Sequence, residues 1–522
     1  MRHPSILGLL AALVLTLAGQ AEGYPGFARK YRTSCSTCHV AYPKLNDFGE
    51  AFRLNGYQIP DDDEFYVKEE PVELGVESYK EVWPKAIWPN TIPGTAPFSL
   101  RLIQELSWRE DRTRSDADWQ FGLPTELELT GAANLGPDIA AWATLAFEPN
   151  TSRITDEGIA ETPGAATPDA GGHSHLPERD LEVELHRAFV NFGSLFSEGS
   201  GVLDLGLPRE AVNLRVGALD PSFLAFSNHR RLTSAGYNIN NFTFNDNHVR
   251  FESPFLPAIE LHGILASRFR YALGWTTGGR QILDHKPQDF YGRIAYKVGG
   301  MALDGTGGAG GAEGDELAST DNWVDNSFTL GLFGYYGKQD LIDTLRSTIT
   351  VVEMEENEDG EMETMIEIEP VTIPVDWEDR FFRVGTDARL NWGNLDLFGA
   401  VMWAADKLPR ENELTRYTVH DEQLFRVGGE SPGWDYAYAG MLEADYVIYP
   451  WMIAITRYEF TNYEGRTNGN DVHRIIPNLT FLLRANVKAY IEGQLTYTDE
   501  DSTTGNSRWE GHRFLLGLDV SF

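Results

Sequence analysis

Arg513-Phe514-Leu515-Leu516-Gly517-Leu518-Asp519-Val520-Ser521-Phe522 alternates with period two. Phe514, Leu516, Leu518, Val520 and Phe522 fall on one face of an extended strand, and Arg513, Gly517, Asp519 and Ser521 on the other. Strands expose successive side chains on opposite faces, so a greasy face and a polar face run the full length of this segment. The same text recurs upstream. Phe98, Leu100, Leu102, Leu106 and Trp108 alternate with Ser99, Arg101, Glu105 and Ser107; Leu181, Val183 and Leu185 with Glu182, Glu184 and His186; Phe382, Val384, Ala388 and Leu390 with Arg383, Asp387 and Arg389.

Charged residues on one face and apolar residues on the other fit a wet lumen inside and lipid outside. A soluble sandwich has the same alternation with the apolar side turned inward. Connection lengths separate the two. Tight links are expected at Gly136-Pro137, around Pro254 to Pro257, at Trp392-Gly393, at Tyr449-Pro450 and at Arg484-Ala485. Long polar links are expected at about 149–180, 220–246, 338–379, 406–434 and 499–511. Short and long alternate, as periplasmic turns and external loops do, and the Gly-rich stretch 300–326 breaks the rule. The expected fold is an all-β transmembrane barrel of about 16 antiparallel strands over 98–522, with a small helical segment before it. A terminal aromatic such as Phe522 resembles the assembly signal of bacterial outer-membrane barrels. Trp88, Trp108, Trp403, Trp434, Tyr449 and Trp451 sit at expected strand ends, where aromatic girdles meet the two membrane interfaces.

The chain starts with Arg2 and His3, an apolar run Ile6–Leu17 and small residues around Ala18–Gly23. This pattern predicts a secretory signal over 1–23, too short in its apolar run to span a bilayer. The formal net charge is −35, from 78 acidic and 43 basic residues. Nucleic acid is excluded as a partner, because phosphate binding needs the opposite sign. Cations and basic partners suit the chain better.

Residues 35 to 39 read Cys35-Ser36-Thr37-Cys38-His39, and these are the two cysteines of the chain. C-x-x-C-H is the attachment signature of c-type haem. Cys35 and Cys38 would form the covalent links, and His39 would bind the iron as axial ligand. A plain disulfide in an oxidising compartment is the alternative, but His39 follows directly and no βαβ pattern surrounds the pair. Zinc needs two more ligands at suitable spacing. Leu45, Phe48 and Phe52 share one helix face, and Gly56 is placed to end that helix. Residues 24–60 thus read as a monohaem segment whose apolar face covers the porphyrin. Residues 61–97, with Asp61-Asp62-Asp63-Glu64 and many prolines, read as a tether whose acidic run is solvated.

Phe27-Ala28-Arg29, the Cys35/Cys38/His39 motif, Pro43, Leu45-Asn46, Phe48-Gly49, Phe52 and Asn55-Gly56-Tyr57 together resemble the fused outer-membrane cytochrome–porin family of iron-oxidising bacteria. The match covers about 35 residues closely, and the barrel in architecture alone. The resemblance implies electron transfer across the Gram-negative outer membrane, and the even strand count puts both termini in the periplasm. The resemblance also implies an extracellular donor such as Fe²⁺ and a periplasmic electron-carrier cytochrome as acceptor. On this reading any enzymatic activity is Fe(II)-oxidising electron transfer, with no bond-breaking site. The competing reading is a solute-conducting porin in which the haem segment is a plug or redox sensor.

The sixth iron ligand stays open. No His or Met lies between His39 and the first barrel strand, and after Met1 the next methionine is Met301. The ligand therefore comes from the barrel, from Lys, Tyr or an amine, or from water. Strand parity points His186, His248, His262, Met402 and Met441 into the lumen. Residues 353–369 carry nine acidic and no basic side chains, in an expected external loop. There they would concentrate divalent cations or simply keep a surface loop solvated. His173 and His175 lie in another expected external loop. Gly307 to Gly311 lacks the Lys and Ser/Thr of a phosphate-binding loop.

Overall fold

The computed structural model describes residues 25–60, 63–73, 75–76, 78–84, 91–94, 97–109, 118–121, 125–136, 138–149, 181–197, 204–240, 256–278, 288–307, 321–356, 362–408, 416–420, 423–427, 433–464, 471–499, 508–509 and 511–522, with backbone alone over 339–379 and at several strand ends. His173, His175, His248 and Trp88 lie outside the described residues.

The strands close into one antiparallel barrel. Two short pieces, Asp118–Phe121 and Arg508–Trp509, pair alongside longer neighbours, which leaves 16 staves. They are β1 Phe98–Arg109, β2 Glu126–Asn134, β3 Ile139–Pro149, β4 Leu181–Phe192, β5 Asn213–Leu219, β6 Leu256–Leu265, β7 Phe269–Thr276, β8 Asp289–Gly299, β9 Ser327–Glu356, β10 Met362–Trp392, β11 Leu395–Leu408, β12 Gly433–Tyr449, β13 Met452–Glu464, β14 Asp471–Arg484, β15 Val487–Asp499 and β16 Arg513–Ser521. Each pairs with its neighbours in sequence, and β16 pairs with β1, from Arg513 opposite Arg109 to Ser521 opposite Arg101. Phe522 completes the seam: its N–H donates to the Leu100 carbonyl at 2.8 Å, and its carbonyl accepts from the Leu100 N–H at 2.7 Å.

Face assignment follows the period-two reading. Phe514 and Leu516 are about half exposed on the outside, whereas Asp519 and Ser521 are buried inside. The exterior carries Leu273, Ile294, Val298, Leu330, Leu332, Val384, Val401 and Leu442 in the open. Closure leaves no free sheet edge, and this apolar skin suits lipid; a closed barrel is the architecture besides the helix that satisfies all backbone groups inside a bilayer. Among the described residues no helix is long and apolar enough to cross a membrane. Exposed aromatics cluster at both rims. Tyr449 and Trp451 stack at 5.4 Å beside the β12–β13 turn, and Trp403 stacks on Tyr436 at 5.8 Å nearer the other end. The chain is a closed 16-strand antiparallel β-barrel with an apolar exterior.

Three expectations about connections need correction. Pro254–Pro257 is not a tight turn: β6 starts at Leu256, and the tight link is Ala266-Ser267-Arg268, where Ala266 and Ser267 take positive φ. The stretch 338–379 is not a loop, because β9 and β10 stay paired from Ser327/Asn391 out to Glu356/Met362. The acidic run 353–369 therefore lies on the far end of a hairpin whose tip, 357–361, is outside the described residues. Its alternating Ile, Val and Thr residues extend the ladder, a pattern that high polarity obscured.

The third correction concerns 220–246. Its described part, 220–240, folds into the lumen. Leu224, Leu232, Tyr237 and Ile239 are buried there. Backbone N–H groups of the segment donate to carboxylates of the wall: Ser222 to Glu260 (2.8 Å), Ser234 and Ala235 to Glu492 (2.7 and 3.0 Å), and Asn238 to Glu459 (3.1 Å). A buried loop has to satisfy its backbone, and inward-facing carboxylates do so here.

The N-terminal segment fills the same lumen near the tight-turn end. Helix α1 spans Pro25–Tyr31 and helix α2 spans Asp47–Leu54, with a two-strand ribbon His39–Ala41/Lys44–Leu45 between them. The described ends of the 300–326 link, 300–307 and 321–326, pack over this segment. Met301 packs in the cluster around Phe48 and Phe52, and the Asn322 side-chain amide donates to the carbonyls of Ser36 and His39, the latter at 2.9 Å.

Candidate functional site

Ser34 caps a single 3-10 turn, Cys35–Thr37, by accepting from the Ser36 N–H at 3.3 Å. The Cys38 N–H donates to the Cys35 carbonyl at 3.2 Å. This turn brings both thiols to one side, and no disulfide joins them. Asn46 then does two jobs. Its side-chain NH₂ donates to the Thr37 carbonyl at 3.0 Å, and its side-chain oxygen accepts from Gly49 N–H at 2.8 Å as the N-cap of α2. An Asn at N-cap is the residue type that this position favours.

Helix α2 lies flat against the motif. A Cβ on Gly49 would stand 2.0 Å from the Cys38 carbonyl oxygen, so glycine alone fits this contact. Gly49→Ala is expected to push α2 off the motif and destabilise the segment by about 1–3 kcal/mol, as other overpacked substitutions do. The check is protease digestion of residues 25–60 in rising guanidinium, with cleavage at lower denaturant than for the unaltered protein. The helix stops where the sequence says. Gly56 takes φ +70°, and the Tyr57 N–H returns to the Phe52 carbonyl at 2.9 Å, the wrap of a helix C-terminus.

Cys35, Cys38 and His39 open onto one cavity. Its floor is aromatic. Phe27 meets Phe52 edge-on at 5.2 Å, stacks on Tyr57 at 5.8 Å and lies 6.3 Å from Trp142 of β3; Trp142 stacks in turn on Phe189 of β4 at 6.5 Å. Leu45, Phe48 and Phe52, expected on one apolar face, all line it. The His39 ring Nδ1 donates to the Pro43 carbonyl at 3.2 Å, which leaves Nε2 with the lone pair. Burial holds the imidazole down at about 4, so the ring is neutral at pH 7. Burial, followed by the neighbouring Cys35 sulfur, pushes the Cys38 thiol up to about 12.

The segment is pinned to the wall by buried ions. The Lys44 ammonium sits 2.7 Å from Asp396 of β11, pairs with Asp445 of β12 and lies over the Phe398 ring. Burial opposes this charge, and the two carboxylates outweigh it, holding the ammonium above its ordinary value. Asp47 of α2 meets Lys297 of β8 at 2.8 Å. Glu50 pairs with Arg53 at 2.7 Å and reaches Arg230 of the inward loop at 3.6 Å; these cations outweigh its burial and hold it down at about 2. Asp63, expected in a solvated run, instead accepts from the Lys30 ammonium (2.9 Å), the Tyr31 hydroxyl (2.6 Å) and the Ile59 N–H (2.8 Å).

The four described sixth-ligand candidates, His186, His262, Met402 and Met441, lie elsewhere. His262 is buried with Nε2 3.1 Å from the Asn191 side-chain oxygen. Met402 and Met441 are buried in the main core cluster of the lumen. His186 sits in a neighbouring cavity of about 1060 Å³ with Glu126 and Glu128. A bulge in the β3–β4 ladder skips His186 between Leu185 and Arg187. Such a kink re-aims side chains: His186 lines the neighbouring cavity, and Arg187 caps Trp142 at 5.4 Å in the first one.

The sequence reading missed His229. It lies in a short 3-10 turn, Asn228–Arg230, of the inward loop, and it lines the same cavity as Cys35, Cys38 and His39. Its ring centroid is 5.7 Å from that of His186. Burial, then the charge of Arg187, holds this imidazole down at about 3. The usable signal was Phe223-Leu224-Ala225-Phe226, which is too apolar for a loop in water.

No family model matches the chain, and no curated protein matches it. Among solved structures it is similar to OmpT of Vibrio cholerae, at 10% identity and a TM-score of 0.43 over 83% of this chain and 98% of that one. It is also similar to an anion-selective porin from Comamonas acidovorans, at 13% identity and a TM-score of 0.43 over 81% of this chain and 98% of that one. Salmonella typhi OmpF gives 8% identity and a TM-score of 0.45 over 83% and 98%. These similarities concern barrel architecture alone.

Proposed function

We propose that this barrel carries one covalently bound c-type haem on Cys35, Cys38 and His39. Through it, single electrons pass between an extracellular donor such as Fe²⁺ and a periplasmic electron-carrier cytochrome. One observation carries the reading. Both thiols of the C-x-x-C-H turn and an imidazole fixed through Nδ1 face one cavity lined by aromatic side chains. The donor set and the apolar lining both fit a haem. Once bound, the group supplies a one-electron Fe³⁺/Fe²⁺ couple.

The protein's own residues do the rest. His39 ligates through Nε2, and the Pro43 carbonyl holds its ring angle. Phe48, Phe52, Tyr57 and Trp142 keep water from the group, and a low-dielectric shell tunes its potential. Lys44 and Asp47 fix the segment to the wall and Glu50 ties it to the inward loop. The reading places both chain ends and the tight turns in the periplasm, following the usual asymmetry of such barrels. The acidic β9–β10 hairpin then points outward, where hard oxygen ligands suit divalent cations.

The test is reconstitution in liposomes with an oxidisable donor outside and an acceptor sealed inside. The expected result is donor-dependent reduction of the enclosed acceptor, together with a pyridine haemochrome spectrum of the purified protein. A colourless mature protein ends the proposal. The pore alternative is separated by planar-bilayer recording. With the lumen occupied by residues 25–60 and 220–240, conductance well below that of an open 16-strand porin is expected. Open-porin conductance unaffected by redox state would favour a passive pore.

A further inference from the structure

We infer that His229 would be the second protein ligand to the haem iron, alongside His39; this rests on the haem reading above. Two imidazoles, from separate pieces of chain, open onto the one cavity that holds the attachment motif. Among the described residues neither Met nor Lys lines that cavity, nor does any of the four described candidates, His186, His262, Met402 and Met441. The tyrosines that line it are weaker donors. A phenol binds iron as phenolate and ordinarily keeps its proton at pH 7, and the Tyr31 hydroxyl already donates to Asp63 at 2.6 Å.

His229 is also held as a ligand has to be. Ser227 caps its turn by accepting from the His229 N–H at 3.2 Å, and the Asn228 side chain accepts from the Tyr237 N–H at 2.7 Å. Next to it, Arg230 binds Asp220 at 2.7 Å and reaches Glu50 at 3.6 Å. Glu50 belongs to α2, the helix whose Gly49 touches Cys38. The loop carrying His229 and the helix backing the haem motif are thus one ion-paired assembly. Among the described residues the His229 ring has no hydrogen-bond partner, so ligation would displace none. A haem iron bound by both imidazoles would suit electron transfer and leave no position for a small molecule.

The experiment uses the full-length protein purified from membranes in detergent. A pyridine haemochrome spectrum first establishes the covalent haem, and its absence ends both the reading and this inference. With haem present, the ferric protein is expected to give a low-spin electron paramagnetic resonance signal and the near-infrared magnetic circular dichroism band of bis-imidazole iron. His229→Ala is expected to turn the iron high-spin, with added imidazole restoring the low-spin signal. His229→Met is expected to stay low-spin and gain a thioether-to-iron charge-transfer band, a change that a merely structural role would not produce. His186→Ala is expected to keep the bis-imidazole signature. Heat-modifiable gel migration confirms that each variant barrel is folded. A covalent haem that is high-spin in the unaltered protein overturns the assignment, as does a bis-imidazole signature surviving in His229→Ala, and either leaves the haem reading standing.

Discussion

Replacing Cys35 and Cys38 by serine is expected to abolish covalent haem while the barrel still assembles. Serine keeps the shape of each side chain but cannot form the thioether. The barrel seam does not involve these sulfurs: it is made by β1, β16 and Phe522. The loss is measured as disappearance of the pyridine haemochrome spectrum and of haem-linked peroxidase staining on a denaturing gel. Heat-modifiable migration is expected to persist, with donor-driven electron transfer in liposomes falling to background. Covalent haem surviving in the double serine variant would falsify the attachment site. Single variants are expected to lie between, because one remaining thioether and His39 still hold the group.

Lys44→Ala is the second large effect, and it reports on how the segment is held. The ammonium pairs with Asp396 and Asp445, and all three side chains are almost wholly buried. Asp396 has a second partner in Arg389 at 2.8 Å, so Asp445 bears the loss. Removing one member of a buried ion pair typically costs about 3–5 kcal/mol, because the remaining charge is left in a poor solvent. The expected result is earlier proteolytic release of residues 25–60 in guanidinium and a rise in planar-bilayer conductance. Lys44→Ala combined with Asp445→Asn is expected to recover part of that loss, since the stranded charge is gone. Equal behaviour of the single and double variants would show that the pair does not anchor the segment.

The barrel was legible because its rule is local. Lipid outside and water inside impose period two on every stave, and Phe98–Trp108 and Phe514–Phe522 each carry that pattern without reference to anything distant. The Cys35–His39 motif was legible for a similar reason: its chemistry needs a fixed short spacing along one piece of chain. The end of α2 at Gly56 was legible as well, since a left-handed C-terminal residue is a property of the single position.

What surrounds the motif was not written locally. His229 is 190 residues from His39, and its loop turns inward because wall carboxylates from β6, β13 and β15 satisfy the backbone of 220–240. Strand parity pointed His186, His262, Met402 and Met441 inward, which the burial of all four matches. Parity says which face a residue is on, but not which of several lumen cavities it reaches. The sequence by itself therefore determined the architecture and the short motif on which the proposal rests, both governed by near neighbours along the chain. Tertiary structure alone decided which side chains share the cavity, because that depends on closing the barrel and packing two separate segments inside it.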